Sequence, residues 1–289
     1  AKLTIADSTG TSASASTTTT VANGTPGGLK LRVVQANISY GGHGTDNLIN
    51  LDRTTEWFKQ LNPDVASLSE AIGGYNDPTV IPELMKQKTG ISWYSAYAAK
   101  YPGCAEGVMI LSKWPIVSTS HYYMSYQMPI VEATLNVNGK LVYFFATHFQ
   151  WPEGASYERQ VEARQLVNFA AQFPEPRIIG GDLNAQIDTP ELGIILNQYD
   201  GGWDKALSDG TASSYAANPP ESGTRTRRSR IDHVFYSKAA SNISVTGAEI
   251  PDQRAPGTGS KVVIKIGTSD DYGVRPSDHN FMEVSLDIN

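Results

Sequence analysis

The stretch "RIIGGDLNAQID", residues 177–188, decides how the rest of the chain is read. An apolar run, Ile178 and Ile179, stops at Gly180 and Gly181 and gives way to Asp182, Leu183 and Asn184. In an extended strand successive side chains point to opposite faces, so Asp182 and Asn184 are expected on one face. A buried strand that ends by showing an acid and an amide is the pattern of a sheet edge that carries chemistry. The two glycines would let backbone approach that edge, or else mark a bulge or tight packing.

Working outward, other apolar runs end in the same way. Asn37 stands at the end of the strand read in "LKLRVVQANIS", Glu70 at the end of "DVASLSE" and His148 at the end of "KLVYFFATHF". Asp232 lies in the strand "RIDHVFYS", and Asp278 with His279 precedes "NFMEVSLDI". Amphipathic segments lie between these strands: "LDRTTEWFKQLN", stopped at Pro63; "IPELMKQKTG", with Pro82 expected at the helix start; and "TPELGIILNQ", with Thr189 as cap. "SYERQVEARQLVNFAAQF" is the longest helix candidate, with Val161, Ala163, Leu166, Val167 and Ala170 on one stripe. Asn138 and Gly139 predict a tight hairpin. Strands, hairpins and helices mixed in this way predict two packed sheets covered by helices.

Composition narrows the chemistry. The chain has 289 residues, 40% hydrophobic and 18% charged, enough for a sizeable core. Cys104 is the only cysteine, which excludes an internal disulfide and a thiolate cluster, so a metal would need oxygen and nitrogen ligands. A net charge of -6 offers no general attraction for polyanions, and phosphate binding must be local. No apolar run is long enough to span a membrane. Residues 1–28 are rich in Ser, Thr, Ala and Gly; they read as an exported linker, or as a remnant hairpin of an upstream immunoglobulin-like or PKD-like module ahead of a main domain at 29–289.

Taken together, "QANIS", "LSEA", "EGVMILSKWPI", "THFQ", "GGDLNA", "RIDHVFYS" and "PSDHNF" resemble, in order, the motifs of the endonuclease/exonuclease/phosphatase superfamily. The resemblance runs from about residue 29 to 288. It implies a four-layered α/β sandwich, two mixed β-sheets flanked by helices, that hydrolyses phosphate esters with Mg²⁺ or Mn²⁺. On the matching positions, Glu70, Asp278 and Asn37 would hold the metal. Asp182 would act as base or water-positioning ligand, and Asn184 would donate to the phosphoryl oxygens. His279 would be oriented by Asp232, and His148 by Glu106, with each imidazole raised in pKa by its carboxylate. Tyr101 matches a phosphate-contacting tyrosine, with plain packing an equal reading. Ser69 and Ala36 depart from common family residues, which leaves the subfamily open. Of the remaining histidines, His43 reads as a loop residue and His121 and His233 as structural.

Arg225, Arg227, Arg228 and Arg230 stand just before the Asp232 strand, a cluster that would bind substrate phosphates unless it is a solvated loop. The expected function is a secreted, monomeric nuclease acting on DNA or RNA. The alternatives are a small-molecule phosphatase or phosphodiesterase (inositide, nucleotide or sphingomyelinase-like) and an inactive binding or adhesion module.

Overall fold

A computed structural model of the chain describes residues 2–6, 12–16, 28–75, 77–215, 223–225, 229–255 and 274–289. The first two strands, β1 (Lys2–Ala6) and β2 (Ser12–Ser16), pair antiparallel as a hairpin.

Two mixed sheets build the main body. β3 (Leu29–Asn37), β4 (Val65–Ile72), β5 (Tyr94–Ala99) and β6 (Glu106–Ser112) belong to a seven-stranded sheet. β12 (Ala212–Ser214), β14 (Ile243–Ile250) and β15 (Met282–Ile288) complete it, in the order β12-β14-β15-β3-β4-β6-β5. The six-stranded sheet runs β11-β13-β10-β9-β8-β7, from β7 (Ile116–Tyr123), β8 (Pro129–Val137), β9 (Lys140–His148), β10 (Arg177–Asp182), β11 (Tyr199–Gly201) and β13 (Asp232–Ser237). Val137 pairs with Lys140 across a turn in which Asn138 (φ 53°) and Gly139 (φ 88°) are both left-handed, as a two-residue hairpin requires.

Strand alternation divides the apolar residues into three cores. Leu31 and Val33 of β3, Val108 and Ile110 of β6, Phe144 of β9, Ile178 of β10 and Val234 of β13 meet between the sheets. The opposite faces are covered by helices. α2 (Leu51–Leu61) and α3 (Asp77–Thr89) bring Phe58, Leu61, Ile81 and Met85 onto the seven-stranded sheet. α4 (Ser156–Ala170) and α5 (Pro190–Leu196) bring Leu166, Val167, Leu192 and Ile195 onto the six-stranded one. A short turn, α1 (Ser39–Gly42), follows β3, and α6 (Gly202–Ser208) sends Trp203 into the inter-sheet core. The result is the expected four-layered sandwich.

Local differences have local causes. α3 begins at Asp77, ahead of the expected start, and takes Pro82 into its interior. The carbonyl of Pro78, which the absent N–H of Pro82 would have met, accepts the Ser95 hydroxyl at 2.6 Å instead. On α4 the buried position is Glu162 rather than Val161, because its carboxylate accepts the Gln150 N–H at 3.0 Å. Gly180 serves sheet packing: a Cβ there would lie 2.7 Å from Ser67 Cβ across the sandwich, and Ser67 donates to the Gly180 carbonyl at 3.0 Å.

Candidate active site

At one end of the sandwich the inward face of each central strand turns from apolar to polar. On β3 the inward series Leu29, Leu31, Val33 continues as Gln35 and Asn37. On β9 Val142, Phe144 and Ala146 lead to His148, and on β10 Ile178 and Gly180 lead to Asp182. The antiparallel β6 and β13 start at this end, and Glu106 and Asp232 share the inward parity of Val108 and Val234. Period-two alternation thus delivers six side chains to one place.

Glu70 has the wrong parity, since Val65 faces the inter-sheet core and Glu70 lies five residues on. A bulge corrects it. The β4–β6 register shifts between Ser69 and Ala71, and Glu70 takes φ 61°. One extra residue in the strand re-aims the side chain, at roughly 1–2 kcal/mol for a left-handed non-glycine residue. Ser39 (φ 46°), Tyr40 (φ 48°) and Asn184 (φ 48°) are left-handed too, so backbone strain gathers around this site.

Two groups of ligating side chains result. In each, one atom per residue lies within 4.8 Å of the others: Asp182, Asp232 and His279, fully buried; and Glu70, Glu106 and His148, partly open. Asn37 joins them, donating Nδ2 to Glu70 Oε1 (2.8 Å) and Asp182 Oδ2 (2.9 Å). Its own Oδ1 accepts the Ser39 N–H, and Glu70 Oε2 accepts the Tyr40 N–H.

In the closed group, His279 Nδ1 meets Asp232 Oδ2 at 2.7 Å. Asp232 also accepts from Gln35 Nε2 (3.1 Å), and Ser277 Oγ receives the His279 N–H. Burial lowers the His279 pKa, but Asp232, followed by Asp278 and Asp182, carries it up to about 10. Arg225 Nη1 stands 3.3 Å from His279 Nε2, a contact that is a hydrogen bond only with a neutral ring. The fully buried carboxylate outweighs a guanidinium that is 43% exposed, and the cation prevails. Burial, then the charge of Asp232, pushes Asp182 up to about 7.

In the open group, His148 Nε2 is 3.1 Å from Asn184 Nδ2 and 3.7 Å from Asp182 Oδ2. The expected pairing with Glu106 is not made: Nδ1 lies 4.0 Å from Oε1 and has no hydrogen-bond partner, because Glu106 is held by Lys100 at 2.5 Å. Burial therefore dominates and lowers the His148 pKa to about 4, the reverse of the expected rise.

Other expectations are revised by the same geometry. Asn184 does not reach the site by strand alternation. β10 stops at Asp182, and Asn184 turns back with its N–H on Asp182 Oδ1 (2.9 Å) and its amide on the Phe149 carbonyl (3.0 Å). Asp278 stands outside both groups and faces Arg225 at 3.4 Å; burial raises its pKa, yet His279 and Arg225 outweigh that and hold it low. Arg230 is no phosphate fork. It pairs with Asp204 at 2.7 Å, lies over the Trp203 ring and keeps only 12% of its side chain exposed. Arg227 and Arg228 lie outside the described residues. Tyr101, 45% exposed, lies at the lip of a neighbouring cleft. His233 is structural, giving Nε2 to the Ala185 carbonyl at 2.8 Å.

The profile of the Endonuclease/Exonuclease/phosphatase family matches residues 34–279, a span that contains every member of both groups. The chain belongs to that family. Family members are metal-dependent phosphoester hydrolases, and the chain is an enzyme of that class. No curated protein matches by sequence. Solved structures share the fold. A family protein from Bacteroides thetaiotaomicron superposes with TM-score 0.66 at 16% identity, over 91% of this chain and 99% of its own. The human Nocturnin catalytic domain with bound sulfate gives 0.64 at 19%, over 90% and 95%. D. rerio TDP2 complexed with a single-strand DNA product gives 0.61 at 17%, over 89% and 98%. Among the described residues no helix is long and apolar enough to cross a membrane.

The donor set fits a divalent cation. Glu70 offers a hard carboxylate fixed from behind by Asn37 and Tyr40 N–H, and the orphaned His148 Nδ1 beside it marks a group of unmet polar demand.

Proposed function

We propose that this enzyme is a Mg²⁺- or Mn²⁺-dependent nuclease that hydrolyses DNA or RNA phosphodiesters. The observation that carries the reading is Arg225, which faces the site 3.3 Å from His279 Nε2, pairs with Asp278 at 3.4 Å and still keeps 43% of its side chain exposed, whereas Lys100 is held by Glu106 and Arg230 is buried against Asp204. A half-open guanidinium at the site suits the single charge of a phosphodiester.

Glu70, with Asn37 behind it and Asp278 across the Ser39–Tyr40 turn, would hold the ion. When bound, it would supply Lewis acidity to a phosphoryl oxygen and to the leaving oxygen. Asp182, whose raised pKa gives it the basicity to accept a proton near neutrality, takes one from the attacking water. The water oxygen bonds to phosphorus as the bond to the leaving alkoxide breaks. The His279 cation, fixed by Asp232, meets the charge on the phosphoryl oxygens, while the Asn184 amide holds the neutral His148 ring in place. Asp232, which orients His279, and Asn37, which holds Glu70 and Asp182, are positioning residues. Secretion is part of the proposal and rests on the composition of residues 1–28.

The test is hydrolysis of plasmid DNA, RNA and a panel of phosphomonoesters and phosphodiesters, with Mg²⁺ and with chelator. Cleavage of the polymers that chelator abolishes is the expected result. Turnover confined to phosphomonoesters would replace the nuclease by a phosphatase, and turnover in chelator would overturn the metal mechanism.

A further inference from the structure

Beside His148, a cleft of about 240 Å³ opens between Lys100, Tyr101, Tyr126, Gln127, Gln150 and Trp151. Its wall is tied to the site by two residues. Gln150 is two residues from His148, and Lys100 at the cleft wall holds Glu106, which stands 4.0 Å from that histidine. Tyr126, Gln127 and Gln150 also line a larger hollow of about 550 Å³ that runs on under Pro152 and Ala155.

The loop that carries Trp151 is held rigidly. Arg159, 5% exposed, gives Nη1 to the carbonyls of Gln150 (3.1 Å) and Pro152 (2.8 Å) and Nε to Glu191 (2.9 Å). Glu162 takes the Gln150 N–H, and the Gln150 amide donates to the Tyr126 carbonyl at 2.8 Å, tying the loop to the β7–β8 turn. On this fixed frame Trp151 is 73% exposed. A large aromatic ring held out to water by a buried ion pair is placed for a partner that folding itself does not supply.

We infer that this cleft takes a nucleobase of the substrate, from a nucleotide flanking the scissile phosphate, stacked against Trp151 and Tyr101; the inference rests on the nuclease reading. Phosphate is disfavoured, because the cleft's one cation is spent on Glu106 and Glu158 stands in the adjoining hollow. A quaternary ammonium is disfavoured by the Lys100 ammonium at the wall. An alkyl tail would offer nothing to the polar Gln127 side chain at the wall. A planar, neutral ring with polar edges meets both features, and base–aromatic stacking tolerates any sequence.

The experiment compares a single-stranded oligonucleotide carrying one labelled phosphodiester with the same strand in which the flanking nucleotide is an abasic spacer. Wild-type enzyme in Mg²⁺ is expected to cleave the base-bearing strand with a kcat/KM about tenfold higher. In Trp151→Ala the difference between the strands should collapse to less than about twofold, and Trp151→Phe, which restores a ring, should recover most of it. A Trp151→Ala enzyme that keeps the full difference, or a wild type that cuts both strands equally, overturns the base subsite and leaves the nuclease standing. A wild type that cuts neither strand overturns the nuclease reading and the subsite with it.

Discussion

The two ligating groups sit side by side but are built in opposite ways. Asp182, Asp232 and His279 are fully buried, and the Asp232–His279 pair is closed by Gln35 and Ser277. Glu70 and Glu106 are half-open while His148 is buried behind them, and the group leaves His148 Nδ1 unpartnered and draws Glu106 toward Lys100. The first group completes its interactions within the protein and so fixes protonation states. The second leaves capacity unused and so waits for a ligand. Burial alone does not make a site; the difference in satisfaction separates proton handling from ion binding.

The strongest challenge to this division is Asp232→Asn. It should lower kcat by about 10² to 10⁴ and destabilise the fold by about 3 kcal/mol, since it strands a buried imidazolium. Steady-state kinetics and urea unfolding read the two effects, and a variant as stable as wild type would break the comparison. Glu70→Gln should behave in the contrary sense, leaving the urea midpoint nearly unchanged while weakening Mn²⁺ binding by about 10- to 100-fold, read by calorimetry with the metal alone. Equal losses of stability in both variants would mean that the two groups are one.

Smaller effects sharpen the picture at its rim. Arg225→Ala should flatten the dependence of log K on log salt for nucleic-acid binding by about one unit. Arg230→Ala should leave that slope alone and lower the urea midpoint, because Asp204 loses its partner. The smallest expected effect is a pH dependence outside the site. Burial raises Glu162 from the ordinary 4.5 to about 7. The folded state then binds the extra proton between those values, so stability is greatest below pH 4.5 and falls as pH rises through 7. Glu162→Gln should reduce that fall, leaving the shares that Asp182 and Glu283 contribute over the same range, and melting curves of both proteins at pH 4.5 and 7.5 check it.

How much of this was legible in the sequence depends on which rule placed each residue. Asn37, His148, Asp182 and Asp232 could be read because strands alternate with a period of two and all four extend an apolar inward series. Gln35, two positions before Asn37 on the same inward series, obeys the same rule and supports Asp232, but an amide inside an apolar strand carries no signal of chemistry by itself. Glu70 was recognised by resemblance, but its parity gave no hint of the bulge that aims it. The Asn184 amide on the Phe149 carbonyl and the burial of Arg230 against Asp204 join residues distant in the sequence, and local pattern carries no record of such contacts. The expected Glu106–His148 pairing failed for a nearer reason: Lys100, six residues before Glu106 and across the β5–β6 turn, takes the carboxylate.

The bulge at Glu70 has a consequence for how this enzyme could change over generations. Activity here hangs on chain length as well as on chemistry: a deletion of the Ala71 codon would restore regular pairing on β4 and turn Glu70 to the helix-covered face. Every other ligand could persist and the sandwich could still fold, yet the carboxylate would be gone from the cleft. Inheritance of function in this strand is therefore a matter of counting residues, and a relative one residue shorter here would be expected to keep the shape without the reaction.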